Sequence, residues 1–325
     1  MREKIIRAIL DSGDSFISGE QLSKALGISR TAIWKHINAL REEGYNIESV
    51  NKKGYRLAER PHDILLLENI SHNLSTEFIG KNIIHLDTVG STNDYAKEIG
   101  NKVSGGTLII SEQQTKGKGR LGRVWKSKSG DGIWMSLIIK PKIEPYKAPF
   151  LTLVAGASVV KALSNLDVEA SIKWPNDIIV HNKKICGILT ELSAEMERVN
   201  YVVIGIGINI KTIDFPDEIK EKATSLYKEG YKLSRVDIVR QFCIEFEKLY
   251  KGYILDGNKQ DTLELCRKYS AIIGKQVYVI KNNKRELVKC IDINENGNLI
   301  VKEKNGEIQE IMSGEVSIRG VKGYV

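Results

Sequence analysis

The 325-residue sequence predicts a multidomain α+β protein, and three observations carry that reading. Helical apolar spacing dominates the first forty residues, strand-like runs are interspersed with helical patterns between 83 and 256, and only short β-runs follow residue 272. The expected division is 1–62, 63–270 and 271–325, in keeping with a chain that needs two or three cores at about 150 residues each.

In the first segment Ile5, Ile6, Ile9 and Leu10 share one helical face, and Ser18 with Gln21 forms a capping pattern for a second helix that Gly27 stops. Ser29 caps a third, in which Ile33, Ile37 and Leu40 face one way and Thr31, Trp34, Lys35 and Asn38 the other. Helix, glycine turn, helix is the helix-turn-helix layout. After Gly44 the run YNIESVNKKGYRL reads as two short strands around a tip bearing Lys52 and Lys53, a wing. Ser29, Arg30, Thr31, Trp34, Lys35, Asn38, Lys52 and Lys53 are the candidate DNA contacts. Residues 1–60 carry eleven basic and eight acidic side chains, so a groove contact rests on patterning and the wing more than on net charge, and useful affinity needs a dimer. The plainer alternative is a solvated polar face, with Trp34 packed against the wing. Pro61 marks the boundary, because the residue before a proline is biased out of the helical region.

The second segment has strand-like runs at 83–87, 107–112, 133–140, 170–174, 177–180, 184–192 and 201–210, and helical patterns at 92–99, 149–166 and 235–256. Short turns such as His181-Asn182-Lys183 join neighbouring runs, which predicts a mixed or largely antiparallel sheet with helices on one face rather than a Rossmann sheet. The stretch from Lys211 to Tyr231 is polar, aperiodic and interrupted by Pro216, the pattern of a mobile loop. In the third segment QVYVI, ELVKCIDI, NLIVKE, EIQEIM and VSIRG predict a small five-stranded barrel.

A net charge of +8 and a pI near 9.1 favour an anionic partner. The four cysteines, at 186, 243, 266 and 290, form no CxxC and read as reduced thiols rather than zinc ligands or a redox pair. The charged N-terminus has no signal-peptide pattern, so a soluble cytoplasmic protein without a membrane partner is expected.

Chemistry concentrates in two strings. From Gln113 to Gly130 there are six Lys or Arg residues and no acidic one, and within that stretch GKGRLGR alternates glycine with cation. Gly117, Gly119 and Gly122 permit close backbone approach, while Lys118, Arg120 and Arg123 supply donors to anionic oxygens. It is neither a Walker loop nor GxGxxG. The second string is KWPND: Lys173 stands at a strand end before a proline turn, and Asn176 and Asp177 either bind Mg²⁺ or cap that turn. Ser91, Thr92 and Asn93 look like a helix N-cap, Trp125 is either core or a ligand-facing aromatic, and Trp134 reads as core.

With SGEQLSKALGISRTAIWKHI, GSTNDYAK, EQQTKGKGRLGRVW, KWPNDI, KICGIL, GIGIN and SGEVSIRG, the chain resembles the bifunctional biotin protein ligases that double as biotin operon repressors. Lys118 departs from the arginine found in many members, exchanging a bidentate fork for a point charge. The resemblance implies a winged helix, a class II synthetase-like ligase domain and an SH3-like barrel. It also implies two half-reactions: biotin carboxylate attacks the α-phosphate of MgATP to give biotinyl-5′-AMP, then a lysine of a biotin carboxyl carrier domain attacks the mixed anhydride.

By that resemblance Lys173 and Arg120 are catalytic. Ser91, Thr92, Asn93, Gln114, Gly117, Lys118, Gly187 and Ile188, together with Arg120 and Lys173, hold biotin. Lys118, Arg120, Arg123, Trp125, Asn209 and Arg319 meet ATP or the adenylate, with Mg²⁺ near Asp177. Biotinyl-5′-AMP would also be the corepressor, ordering the basic loop and the 211–231 segment so that homodimers bind operator DNA. Two rivals are a lipoate ligase relative and a ligand-sensing repressor without ligase activity.

Overall fold

A computed structural model gives the fold and describes every residue except 14, 43, 44, 60–62, 64, 282, 283, 315 and 322; of residues 3, 10 and 59 only the backbone is described. The expected boundary at Pro61, the helix end before Gly44, the Leu10 side chain and Glu315 of SGEVSIRG therefore lie outside the described features. The chain falls into two compact units, Met1–His72 with Ser234–Val236, and Asn73–Leu233 with Asp237–Val325.

The first unit holds α1 (Arg2–Asp11), α2 (Gly19–Leu26), α3 (Arg30–Glu42), the antiparallel hairpin β1 (Asn46–Val50) and β2 (Gly54–Glu59), and the short α4 (Leu67–Ser71). The capping box forms in both directions: Gln21 N–H donates to Ser18 Oγ (3.1 Å) and Ser18 N–H donates to Gln21 Oε1 (2.8 Å). Gly27 ends α2 in the left-handed region (φ +67°), and Ser29 Oγ accepts from the Ala32 N–H. Ile5, Ile9, Leu22, Ile33, Ile37 and Leu40 close one core together with Tyr45, Ile47 and Leu57 of the hairpin segment. Gly54 (φ +107°) lets the wing lie against α2's approach, since a Cβ there would stand 2.1 Å from the Ile17 carbonyl oxygen.

In the second unit a seven-stranded mixed sheet runs in the order β3, β4, β5, β9, β8, β7, β6. Its strands are β3 (Ile83–Val89), β4 (Thr107–Gln114), β5 (Gly132–Ile139), β6 (Ser171–Lys173), β7 (Asp177–Val180), β8 (Lys183–Ala194) and β9 (Val199–Asn209). Only β3 and β4 pair in parallel. α5 (Thr92–Ile99), α6 (Phe150–Ser164), α7 (Arg235–Leu255) and α8 (Gln260–Lys268) complete the unit with the small sheet described next. The stretch Pro145–Ser164 is long and apolar enough to cross a membrane, but its apolar window is 72% buried within the fold, the behaviour of a core helix. The C-terminal part is a five-stranded antiparallel sheet in the order β13, β12, β11, β10, β14, formed by β10 (Gln276–Lys281), β11 (Lys284–Ile293), β12 (Leu299–Lys302), β13 (Ile308–Ile311) and β14 (Ser317–Gly320).

Within the 211–231 segment, expected as a mobile loop, residues 222–227 are tied to the sheet. Lys184 N–H donates to the Lys222 carbonyl (2.8 Å) and Thr224 N–H returns a bond to the Lys184 carbonyl (2.9 Å), while Leu226 and Tyr227 N–H groups bond the end of β9 at Asn209 and just beyond it at Ile210. Thr224, Ser225 and Leu226 are buried. Irregular backbone satisfied in this way behaves as part of the sheet. α8 has no counterpart in the sequence reading, although its buried residues Thr262, Leu263 and Cys266 fall at helical spacing; it carries no side-chain cap to mark its start.

Candidate active site

A cleft opens across β9, β8 and β4. One end is a closed polar network. Ser91 caps α5, so Thr92 and Asn93 begin the helix buried against the sheet. Thr92 N–H and Oγ1 both donate to Gln114 Oε1 (2.8 and 3.1 Å), and Gln114 Nε2 donates to Ser127 Oγ (2.8 Å). Ser136 Oγ lies 2.8 Å from Thr92 Oγ1 and donates to Asn93 Oδ1 (2.6 Å); Asn93 Nδ2 donates to Glu191 Oε2 (2.8 Å) and the Leu189 carbonyl (3.2 Å). Each amide orientation is thereby fixed, as a site that reads a small polar head group requires.

The wall beside this network is bare backbone. A Cβ on Gly205 would stand 2.1 Å from Asn93 Oδ1, one on Gly207 would stand 2.6 Å from Trp125 Nε1, and one on Gly187 would stand 3.0 Å from the Trp125 ring. Trp125 packs into that gap with its Nε1 buried and without a protein acceptor among the described residues, a donor left for a ligand. Gly207→Ala is expected to push the Trp125 ring into the cleft and raise the ligand concentration for half-saturation about tenfold, as overpacking by one methyl costs about 1–3 kcal/mol. Ligand titration of Trp fluorescence, with thermal melting as the stability control, checks it.

The other end is cationic. The basic run folds back on itself: Gly119 N–H bonds the Arg123 carbonyl (2.7 Å), Trp125 N–H bonds the Gly117 carbonyl (2.9 Å), and Leu121 and Gly122 (φ +57° and +71°) make the left-handed tip. Lys118 pairs with Asp94 (2.6 Å), which Lys97 also holds (3.1 Å). Burial pushes the Asp94 carboxyl up, but the hydrogen bonds from Lys118 and Lys97 outweigh it and keep the group below its ordinary range. Arg120 donates to Asn176 Oδ1 (2.8 Å) and to the Ser313 carbonyl (2.9 Å), joining the loop to the turn after β6 and to the segment before β14. Burial lowers its pKa, opposed by Asp177. Lys184 lines the cleft with its ammonium paired to Asp177 and 5.2 Å from the Trp125 ring centre. Burial pushes Asp177 up, but Lys184 and the Tyr324 hydroxyl hold it below the usual carboxylate range.

The structure brings together Ser91, Thr92, Asn93, Gln114, Lys118, Arg120, Trp125, Gly187 and Ile188 around one cleft, whose wall does not include Gly117, Arg123, Lys173, Asn209 or Arg319. Lys173, at the end of β6, is 2% exposed and donates from Nζ to the Tyr324 carbonyl (2.7 Å). Burial lowers it to about 7, offset in part by Asp177. Asn209 Nδ2 is spent on the Thr224 carbonyl (3.1 Å), and Arg319 lies against Tyr324. Asp177, the candidate magnesium position, is committed to Lys184 and Tyr324, and no cluster of three metal-ligating side chains occurs among the described residues. The protein residues do not fit a resident magnesium ion, and none is assigned a position. The sequence reading missed Lys184, Gly205 and Gly207; the alternating glycines of GIGIN were the available signal.

In the first unit Thr31, Trp34 (54% exposed), Lys35, Arg30, Ser29, Lys52 and Lys53 all stand on the surface. Asn38 is half-buried and its Oδ1 accepts from Arg41 (3.1 Å), which removes one acceptor from the expected DNA-facing set.

Residues 86–209 match the biotin/lipoate A/B protein ligase family, residues 2–56 an HTH domain, and residues 272–319 the biotin protein ligase C terminal domain. The chain is 41% identical over 323 residues to the bifunctional ligase/repressor BirA of Bacillus subtilis, covering 98% of each. It is 31% identical over 317 residues to the Escherichia coli protein of the same description, covering 97% of this chain and 96% of that one. Among solved structures, biotin protein ligase from Aquifex aeolicus in complex with biotin and ATP superposes with a TM-score of 0.65 at 32% identity, covering 74% of this chain and 99% of that one.

Proposed function

This chain belongs to the family of bifunctional biotin ligase/repressors, and from that premise we propose how its cleft divides the work. The chain ligates biotin to a carrier protein at the expense of ATP and represses the biotin operon through its HTH domain. The carrying observation is the polarity of the cleft, a closed hydrogen-bond network at one end and Lys118, Arg120 and Lys184 at the other. Thr92, Asn93 and Gln114 read the ureido head of biotin, and the chain runs along Trp125 so that its carboxylate arrives among the cations.

There the carboxylate oxygen attacks the α-phosphorus of ATP, the bond to the bridging oxygen breaks, and pyrophosphate leaves. The carrier lysine amine then attacks the acyl carbon, AMP departs, and the amine loses a proton. Lys173 and Arg120 neutralise the α-phosphoryl oxygens as charge develops, and Lys184 adds its charge from the cleft wall. Arg123 and Arg319 attract the polyphosphate from outside the cleft, and Asn209 shapes the adenine side through the Thr224 bond. Magnesium enters with the phosphates of ATP rather than on a protein cage. Biotin-dependent exchange of labelled pyrophosphate into ATP, run beside lipoate, tests the reading; exchange with lipoate in place of biotin overturns it.

In the repressor role, the adenylate-bound protein forms a homodimer in the cytoplasm and presents two copies of α3 to operator half-sites. Exposure of Thr31, Trp34 and Lys35 on one helical face, beside the Lys52-Lys53 wing tip, supports this. Lys52→Ala with Lys53→Ala is expected to lower the salt dependence of operator binding by about two phosphate contacts, whereas Lys35→Ala costs about 1–3 kcal/mol and relaxes base preference. Gel shifts across a salt series with biotin and ATP measure both, and sedimentation with and without the two substrates tests the dimer.

A further inference from the structure

The backbone around Lys173 is held firmly where β6 ends. Ile172 N–H donates to the Tyr269 carbonyl (2.7 Å), Ala271 N–H donates to the Ile172 carbonyl (2.8 Å), and the Trp174 indole donates to the Gly297 carbonyl (2.9 Å). The root of the Lys173 side chain is thereby fixed, and what remains free by its own chemistry is a four-carbon stem whose rotamers scatter the ammonium. Arg319, Lys184 and Arg123 are like charges around that ammonium. Without an anchor it would be pushed away from them.

The anchor is Tyr324, five residues beyond the end of the matched C-terminal domain at 319. Its carbonyl accepts from Lys173 Nζ (2.7 Å), and its ring centre lies 3.3 Å from the same ammonium. A ring face attracts a cation, the more so where water is excluded, and both side chains are buried. The ring is aimed in turn by its hydroxyl, which donates to Asp177, the residue opposite Lys173 in the β6–β7 register. The segment carrying Tyr324 is folded back on β14: Gly320 N–H bonds the Tyr324 carbonyl (3.3 Å), and a Cβ on Gly320 would stand 2.4 Å from the Val325 backbone. We propose that Tyr324 is a positioning residue for adenylation, its ring and carbonyl holding the Lys173 ammonium in one place before charge develops on the α-phosphoryl oxygens. A charge held in advance needs no reorganisation at the moment of reaction. The proposal rests on the reading of Lys173 as a phosphate-side cation.

The full-length protein is measured by biotin-dependent pyrophosphate exchange as wild type, Tyr324→Phe, Tyr324→Leu and Lys173→Gln, with thermal melting and the burst of adenylate counting folded, active sites. Leucine fills much of the volume and removes the ring face, whereas phenylalanine keeps the ring and removes only the oxygen. Tyr324→Leu is expected to lower kcat per active site about tenfold while KM for biotin and ATP stays within about twofold. Tyr324→Phe should recover most of that loss, to within about threefold of wild type. Equal exchange in the leucine and phenylalanine variants overturns the proposal, since a structural role asks only for apolar volume. So does a loss confined to melting temperature or to the count of active sites, and so does a loss confined to KM for ATP, which would make Tyr324 a nucleotide contact. Faster exchange in Tyr324→Leu overturns it as well, by showing that the tyrosine restrains Lys173 from reacting. Unchanged exchange in Lys173→Gln removes the reading of Lys173 and the proposal with it, a result distinguishable from an inactive Lys173→Gln beside a silent Tyr324→Leu, which sinks the proposal alone.

Discussion

Lys184→Gln is expected to lose about two to three orders of magnitude in biotin-dependent pyrophosphate exchange, the range for removing one preorganised donor from a developing anion. Lys184 lines the cleft, its charge is held by Asp177, and its backbone is gripped on both sides by residues 222 and 224. Glutamine keeps the stem length roughly and discards the charge. Biotin affinity should change little, because the polar network that reads the head group lies at the other end of the cleft. In the matched Lys173→Gln variant exchange should fall at least as far, whereas unchanged exchange there would remove Lys173 from the reaction and leave Lys184 as its cation.

Glu247→Leu is expected to destabilise the second unit by about 3 kcal/mol, lowering its melting temperature by about 6–12 °C. Glu247 of α7 is 6% exposed, and its carboxylate accepts the N–H groups of Glu77 (2.6 Å), Phe78 (2.9 Å) and Ile79 (2.9 Å). Leucine fills the volume and strands all three donors. Burial pushes the Glu247 carboxyl up, but the three backbone bonds and Lys251 outweigh it, so its folded pKa lies below the unfolded value. The unfolded chain then binds the proton more tightly, and this contribution is present above an unfolded carboxylate pKa of about 4.3 and lost as pH falls through the lower folded value. Calorimetry between pH 3 and pH 7 should show wild type losing stability on acidification with a steeper slope than the variant.

Local signals were the legible ones. Ser18 with Gln21, Gly27, Ser29 and the Lys52-Lys53 turn placed α2, α3 and the β1–β2 hairpin, since caps and turns act within four residues, whereas α4 was not read from the sequence. The sheet strands were legible from their apolar runs, and α5 from the Ser91 cap. What the sequence hid was long-range. Nothing near Lys173 announces that a tyrosine 151 positions away will take its ammonium, nor that residues 222 and 224 will clasp Lys184. Two lysines eleven residues apart take different partners, Lys173 the Tyr324 carbonyl and Lys184 the Asp177 carboxylate, and neither partner is announced by the residues beside it. α8 was missed although Thr262, Leu263 and Cys266 share one face, because no side-chain cap marks where it begins.

Gly205 and Gly207 point to the same face of β9, and each is already the smallest residue available. A binding wall built this way has no side chain left to trim. Variants that accept a bulkier acid in place of the natural one therefore have to arise across the cleft, by shortening Trp125 or Met135, and each such change also withdraws the surface against which the natural chain is held. Widened acceptance and retained preference are coupled in opposition here, so a broadened ligase should emerge as a weaker one for its first substrate unless a second substitution restores the lost contact.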